Sequence, residues 1–508
     1  MKIALAQINS TAGDLEGNIK RMLSFVDRAR ESKAELLVFP ESALTGNPLQ
    51  DLLRRPDFLH ACRYALDGFL IHTGGIGVLM GIPFPVSDTD RLQKSAVLIE
   101  NGKVAYWFDD HLNTLDFRGI RIGVIPGEGW RESTIPHAAP DLLINLSAFP
   151  YYFNGLQSRI KALSGHALGC GVPLLSVNQA GGNDELIFDG SSMVFDKKGN
   201  LTHLGKHFEE DLLIFDTHIS HQPIAIPEED VSWIYSALVL GFRDYFRKTG
   251  FTKALLGLSG GIDSALVACI AADALEKENV LGVYMPSRYS SYHSGKDAEQ
   301  LAVNLGIEYR VLPIEEIFTS YIRLINGSEE TRGDLAEENI QARIRGSLLM
   351  FISNRESRML VNTSNKSEFA VGYTTLYGDM CGSLSPIADI PKTMVYKLCN
   401  YINRDWERIP VNTITKPPSA ELRPDQLDQD SLPDYDVLDG IIQLYVEENL
   451  SANQIVQRGF QKELVLKIIG MIDGMEYKRR QAPPVLKITS HALGVDGRMP
   501  IIQRFKRH

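Results

Sequence analysis

The stretch that most constrains this chain lies just past its midpoint. Ala254-Leu-Leu-Gly-Leu258 is an apolar run of strand character that empties into Ser259-Gly-Gly-Ile-Asp-Ser264, and a helical repeat of small and apolar residues follows as far as Leu275. Strand, glycine turn and helix in direct succession make one corner of an open α/β sheet. Gly260 and Gly261 let backbone N–H groups approach an anion, and the helix that follows turns its positive end toward the same place. Ser259 and Ser264 offer hydroxyl donors, and Asp263 offers a carboxylate for a magnesium ion that bridges phosphate oxygens. No Lys-Ser/Thr pair closes the loop, so it is not the Walker A loop. Taken alone, the same residues would also serve as turn glycines and a helix N-cap.

Around this corner the chain alternates strand and helix. Ala254–Leu258, Val280–Tyr284, Tyr309–Leu312 and Met359–Asn362 read as strands. Ser264–Leu275, Gly295–Leu305 and Leu335–Phe351 read as helices, so this half is expected to be a doubly wound parallel sheet. Upstream the pattern differs. Lys2–Gln7, Leu36–Phe39, Ile76–Ile82, Ser95–Glu100, Ile120–Ile125, Leu142–Asn145, Leu174–Asn178, Ser192–Phe195 and Leu212–Phe215 are strand-like with few helices between them, which predicts an α/β sandwich of mixed sheets. The proline-marked acidic run His221–Asp230 separates the halves, and the expected division is 1–225 and 226–508.

Composition narrows the setting. The 508 residues carry a formal net charge of −11, which argues against a coat for nucleic acid or for anionic membrane. Cys62, Cys170, Cys269, Cys381 and Cys399 are scattered without a C-x-x-C pair, so no zinc site or disulfide framework is expected and a reducing, cytoplasmic setting is.

Further motifs follow the loop in order. They are Tyr284-Met-Pro-Ser-Arg-Tyr-Ser-Ser291, Asn339-Ile-Gln-Ala-Arg-Ile-Arg345, Thr363-Ser-Asn-Lys-Ser-Glu368, Tyr377-Gly-Asp379, Ile390-Pro-Lys392 and Tyr477-Lys-Arg-Arg-Gln-Ala-Pro483. The loop resembles that of N-type ATP pyrophosphatases, and the ordered set resembles NAD synthetase across 231–508. The resemblance implies ATP and Mg2+ as cofactors and deamido-NAD as substrate, amidated through an adenylated carboxylate. It implies that Gly257, Leu258, Ser259, Gly260, Gly261, Ile262, Asp263 and Ser264 form the ATP phosphate loop. Thr363 and Lys392 are then further ATP contacts, Asp263 and Glu368 metal ligands, and Asn339, Arg343, Glu368, Asp379 and Lys478 substrate contacts. A tRNA-modifying enzyme that shares only the phosphate loop is the rival reading, and the Asn339–Arg343 and Thr363–Glu368 motifs argue against it. The chain is expected to be a homo-oligomer.

The first half resembles the nitrilase/amidase fold through Phe39-Pro-Glu41-Ser-Ala-Leu-Thr-Gly46, Asn145-Leu-Ser-Ala-Phe149, Val177–Glu185 and Phe188-Asp-Gly-Ser-Ser192. In glutamine-dependent NAD synthetases such a domain releases ammonia from glutamine with a Glu, Lys, Cys triad. Glu41 matches the first member. The lysine segment reads Asp109-Asp-His-Leu112, and the cysteine position in Ile125-Pro-Gly-Glu-Gly-Trp130 reads Gly127. Glycine has no group that can attack an amide carbonyl. The expectation is therefore an inactive first domain, with Glu41 a remnant, and NAD made from free ammonia; the alternative is a glutamine-dependent enzyme with an unrecognised nucleophile.

Overall fold

The computed structural model describes residues 1–82, 95–108, 113–127 and 140–505. The chain forms two compact units, Met1–Glu229 and Asp230–His508. The division falls within the proline-marked run His221–Asp230. Glu229 accepts from the backbone N–H groups of Asn154 (3.0 Å) and Leu156 (2.8 Å), which ties the proline-marked run to the start of the helix Gly155–Cys170.

Two six-stranded sheets build the first unit. One runs in the order β14 (Asp211–Asp216), β1 (Lys2–Gln7), β2 (Leu36–Val38), β3 (Gly77–Ile82), β4 (Ser95–Glu100), β5 (Lys103–Phe108). The other runs β13 (Leu201–Leu204), β12 (Met193–Phe195), β9 (Leu174–Asn178), β8 (Leu142–Ser147), β7 (Ile120–Pro126), β6 (Asn113–Phe117). In each sheet three parallel strands, β1–β2–β3 and β7–β8–β9, are flanked by antiparallel ones. Alternation explains the layers. Ile3, Leu5, Leu36 and Val38 face inward and pack with Ile122, Val124, Ile144 and Val177 of the other sheet. Ala4, Ala6, Leu37 and Phe39 face outward and are covered by Met22, Phe25 and Val26 of the helix Leu15–Glu31 and by Leu66 and Phe69 of the helix Pro56–Leu70. The small ribbon β10 (Ala180–Asn183) and β11 (Leu186–Asp189) stands apart from both sheets.

In the second unit β17 (Glu308–Val311), β16 (Val280–Tyr284), β15 (Ala254–Gly257) and β18 (Met359–Leu360) form a parallel sheet in that order. The chain steps outward from β15 to β17 and then crosses back to add β18 on the far side. The carboxyl ends of β15 and β18 therefore frame a topological switch point, the usual ligand crevice of an open α/β sheet. β18 is shorter than the expected Met359–Asn362 because Asn362 donates its N–H to the Leu384 carbonyl (2.9 Å) instead of continuing the sheet. A helical region closes the chain. Leu438, Ile441, Ile442, Ile468 and Ile469 pack beneath Phe369, Ala370 and Val371 of the helix Lys366–Val371, and so support the loop that follows β18. Among the described residues no helix is long and apolar enough to cross a membrane.

Candidate active site

The glycine turn after β15 is held in shape by its own hydroxyls. Ser264 Oγ donates to the Gly261 carbonyl (3.0 Å) and accepts from Ser259 N (3.3 Å), and Gly261 N donates to Ser259 Oγ (3.1 Å). Gly260 has φ +77°, and a Cβ there would lie 2.3 Å from the Ser294 carbonyl oxygen. Glycine is required at this point by the backbone angle and by the close approach of the helix Tyr292–Leu305.

Three segments bring charge to the crevice. Asp263 sits in the first turn of the helix Ile262–Leu275. Lys392 opens the helix Lys392–Ile402, and its ammonium lies 2.5 Å from Asp263 Oδ2 and 3.6 Å from Glu368 Oε1. Asn365 joins the set: its Oδ1 accepts from Glu368 N (3.0 Å), which caps the helix Lys366–Val371, and its Nδ2 donates to Asp263 Oδ1 (3.0 Å). Burial first, and then the Asp263 carboxylate, push the Glu368 carboxyl up to about 8. Burial works against the charge of Lys392, yet Asp263 and Glu368 hold its pKa above the usual lysine value.

Asp263, Glu368 and Lys392 line a cavity of about 320 Å³ that also takes in Thr363, Asp379, Asp428 and Arg345. Asp379 is pushed up to about 6 by burial, against the Thr375 N–H it accepts (2.6 Å). Asp428 comes from the distant 416–435 stretch, is 4% exposed and accepts from the Tyr435 hydroxyl (2.8 Å). Apolar walls beside backbone and hydroxyl donors and a paired lysine are chemistry that suits a phosphate-bearing ligand.

The comparisons agree with that chemistry. Residues 234–482 match the NAD synthase family and residues 2–105 match the carbon-nitrogen hydrolases. Over 550 aligned positions the chain is 42% identical to the glutamine-dependent NAD(+) synthetase of Synechocystis sp., covering 99% of each protein. The same enzyme of Aquifex aeolicus is 40% identical, over 99% of this chain and 100% of that one. The structure of the glutamine-dependent NAD+ synthetase of Acinetobacter baumannii in complex with ADP superposes with a TM-score of 0.76 at 34% identity, covering all of this chain and 99% of that one. This chain belongs to the glutamine-dependent NAD(+) synthetase family.

As a member of that family it is a carbon–nitrogen ligase, an NAD synthetase with a nitrilase-like first domain. Gly257, Leu258, Ser259, Gly261, Ile262, Asp263, Ser264, Thr363, Glu368, Asp379 and Lys392 all line the synthetase cavity. Gly260 forms the turn behind it. Asn339, Arg343 and Lys478 stand outside this lining and gather around the segment 372–379. Asn339 Oδ1 accepts from Thr375 Oγ1 (2.8 Å), Arg343 Nε donates to the Leu376 carbonyl (3.2 Å), and Lys478 Nζ donates to the carbonyls of Gly372 and Thr374 (2.7 Å each). Sequence reasoning missed Asn365, Asp428 and Arg345. The first had a signal, an Asn three residues before a Glu at a helix start; Asp428 had none.

In the nitrilase-like unit Glu41 follows β2, and Gly81 of β3 is needed beside it because a Cβ there would lie 2.7 Å from Glu41 Cα. Gly127 follows β7 in a left-handed turn, φ +58°. Its N–H donates to Leu146 O (2.6 Å), and Asn145 Nδ2 donates to the carbonyls of Gly127 (2.8 Å) and Ile125 (3.0 Å). Asp109–Leu112 and Glu128–Trp130 lie outside the described residues. Of the two cysteines in this unit, Cys62 is fully buried with its thiol pushed up to about 12 by burial. Cys170 ends a helix, and burial raises its thiol as well.

Proposed function

We propose that the chain amidates deamido-NAD at the switch-point cavity of the second unit. A nicotinate carboxylate is a poor electrophile, so one of its oxygens attacks the α-phosphorus of ATP and pyrophosphate leaves. Ammonia then attacks the acyl carbon, the bond from that carbon to the AMP oxygen breaks with its electron pair going to AMP, and the nitrogen loses a proton to give the amide. The carrying observation is the convergence of Asp263, Glu368 and Lys392 beside a glycine turn at the head of a helix. Loop N–H groups and Ser259 and Ser264 would hold the leaving pyrophosphate, with Lys392 beside them. Asn339, Arg343, Asp379 and Lys478 would place the dinucleotide around 372–379.

Asp263 and Glu368 are suited to Mg2+, because two hard carboxylates aim at one point that a cation, the Lys392 ammonium, already occupies. A magnesium ion there would draw its other ligands from phosphate and water and would neutralise charge on the reacting phosphates.

For the nitrogen donor, the names of the full-length relatives favour glutamine, and the expectation of ammonia alone finds no support in them. Under that reading glutamine is hydrolysed by a nucleophile other than a cysteine at position 127. One observation favours ammonia taken directly: the turn at Gly127 is pinned on both sides and carries no side chain. Purified protein given ATP, Mg2+ and deamido-NAD, with either ammonium or glutamine, decides between them. NAD from glutamine at a rate comparable to that from ammonium supports the first reading, and NAD from ammonium only supports the second. No NAD from either donor overturns the assignment of the cavity.

A further inference from the structure

We propose that Arg345 receives a phosphate of ATP, an inference that rests on reading the cavity as the ATP site. The cavity is lined by five carboxylates, Asp263, Glu368, Asp379, Glu421 and Asp428, and by three cations, Arg345, Lys392 and Lys416. Two of the cations are already matched. Lys392 lies on Asp263 and Glu368, and Lys416 lies 3.0 Å from Asp297 Oδ2.

Arg345 differs. Its Nε donates to the Met285 carbonyl (2.9 Å), which fixes the plane of the guanidinium at the carboxyl end of β16, next to the phosphate loop. Among the described residues no carboxylate lies within salt-bridge distance of it and neither Nη has a hydrogen-bond partner, and its side chain lines the cavity. It comes from the helix Leu335–Glu356, on the stripe that also turns Ala342, Gly346 and Leu349 toward the cavity. Burial lowers its pKa only to about 10, so it is charged at neutral pH.

A half-buried guanidinium with no carboxylate partner carries a desolvation penalty that persists in a fold when a ligand offsets it. The anions this cavity is built for are phosphates, and a planar fork held by one edge leaves its other donors preset for two phosphate oxygens. Lys392 is divided between two carboxylates, and Arg345 adds a second cation for the polyphosphate beside the one that Asp263 and Glu368 would hold.

The test is titration of ATP and, separately, deamido-NAD into the full-length protein with Mg2+, for wild type, Arg345→Met and Arg345→Lys, with the melting temperature of each unliganded protein. Arg345→Met should lose about 10- to 100-fold in ATP affinity and little in deamido-NAD affinity. Its unliganded melting temperature should be unchanged or higher, since an unmatched half-buried charge has gone. Arg345→Lys should recover part of the ATP affinity because it restores charge without the Nε bond. Unchanged ATP affinity in Arg345→Met, a loss confined to deamido-NAD, or a lysine variant no better than methionine with a lowered melting temperature would each overturn the inference. Wild type that fails to bind ATP would instead overturn the reading of the cavity.

Discussion

At the scale of single residues the site depends on how few groups hold Asp263 in place. Asn365 touches it with one end of its amide and caps the helix that carries Glu368 with the other. Asn365→Asp keeps an N-cap acceptor and so should keep most of the stability, whereas Ala would cost about 1 kcal/mol. The new carboxylate, however, meets Asp263 where an amide donor used to be. We expect Asn365→Asp to fold with a melting temperature near wild type and to lose most NAD synthesis; near-normal synthesis would show that the Asn365 amide does not matter for Asp263. Asp263→Asn should abolish synthesis even at saturating magnesium while the fold is kept, and a near-normal rate would remove the metal role from Asp263. The residues with a local pattern, Gly260, Asp263 and Glu368 in their loop and helix-start motifs, were legible in the sequence. Arg345 and Asp428 were not. One lines the cavity because the Met285 carbonyl, just past β16, holds its Nε, and the other arrives on a loop whose path no periodicity encodes.

Elements were legible where they are buried on both faces. β15, β16, β7, β8 and β9 are rich in apolar residues and almost wholly buried, and the sequence places them within a residue or two. The edge strand Lys103–Phe108 escaped because Lys103, Ala105, Tyr106 and Trp107 are all exposed and give no alternation. The ribbon Ala180–Asn183 escaped because Gly181 and Gly182 sit where strand formers are expected. The helix Lys366–Val371 shows what a short element needs. Lys366 is fully buried, with its ammonium 2.8 Å from Glu447, 3.1 Å from Asp389 and 2.6 Å from Thr489 Oγ1. Removing a partner from such a set leaves a buried charge unmatched. Lys366→Met should therefore destabilise by about 3–5 kcal/mol in denaturant unfolding and impair synthesis, because Glu368 lies two residues on. A stability change under about 1 kcal/mol would mean the network is not what holds this helix. At the far end of the helix Leu335–Glu356, hydrogen bonds from Arg310 and then Arg358 hold the Glu356 carboxyl down at about 2, against burial. A depressed carboxylate contributes stability that is present above its unfolded pKa, about 4.3, and lost as pH falls toward the folded value. Glu356→Gln should flatten the stability–pH curve between about pH 4 and pH 2, most clearly at low salt. An unchanged curve would rule the pair out as a source of acid sensitivity.

On the scale of the whole chain, two units bring two chemistries, and the sequence separated them correctly in kind, mixed sheets first and a parallel sheet second. Its expectation that the first unit no longer supplies nitrogen finds no support in the relatives, because that expectation turned on a single missing group rather than on a pattern. Glu41 stands at the carboxyl end of β2, where a general base of an amidase would serve, and the Gly127 turn keeps a left-handed shape with no side chain on it. The synthetase cavity is lined entirely by residues of the second unit. Glu41→Ala should therefore leave the ammonium-driven rate within about twofold, a change under half a kcal/mol in barrier. If glutamine is the donor, the same change should remove glutamine-driven synthesis, and a covalent glutamine mimic should label a residue within 1–229 and identify the nucleophile. A glutamine-driven rate that survives Glu41→Ala would take the base role away from Glu41. Loss of the ammonium-driven rate would show that the first unit enters the chemistry of the second, which the lining of the cavity gives no reason to expect.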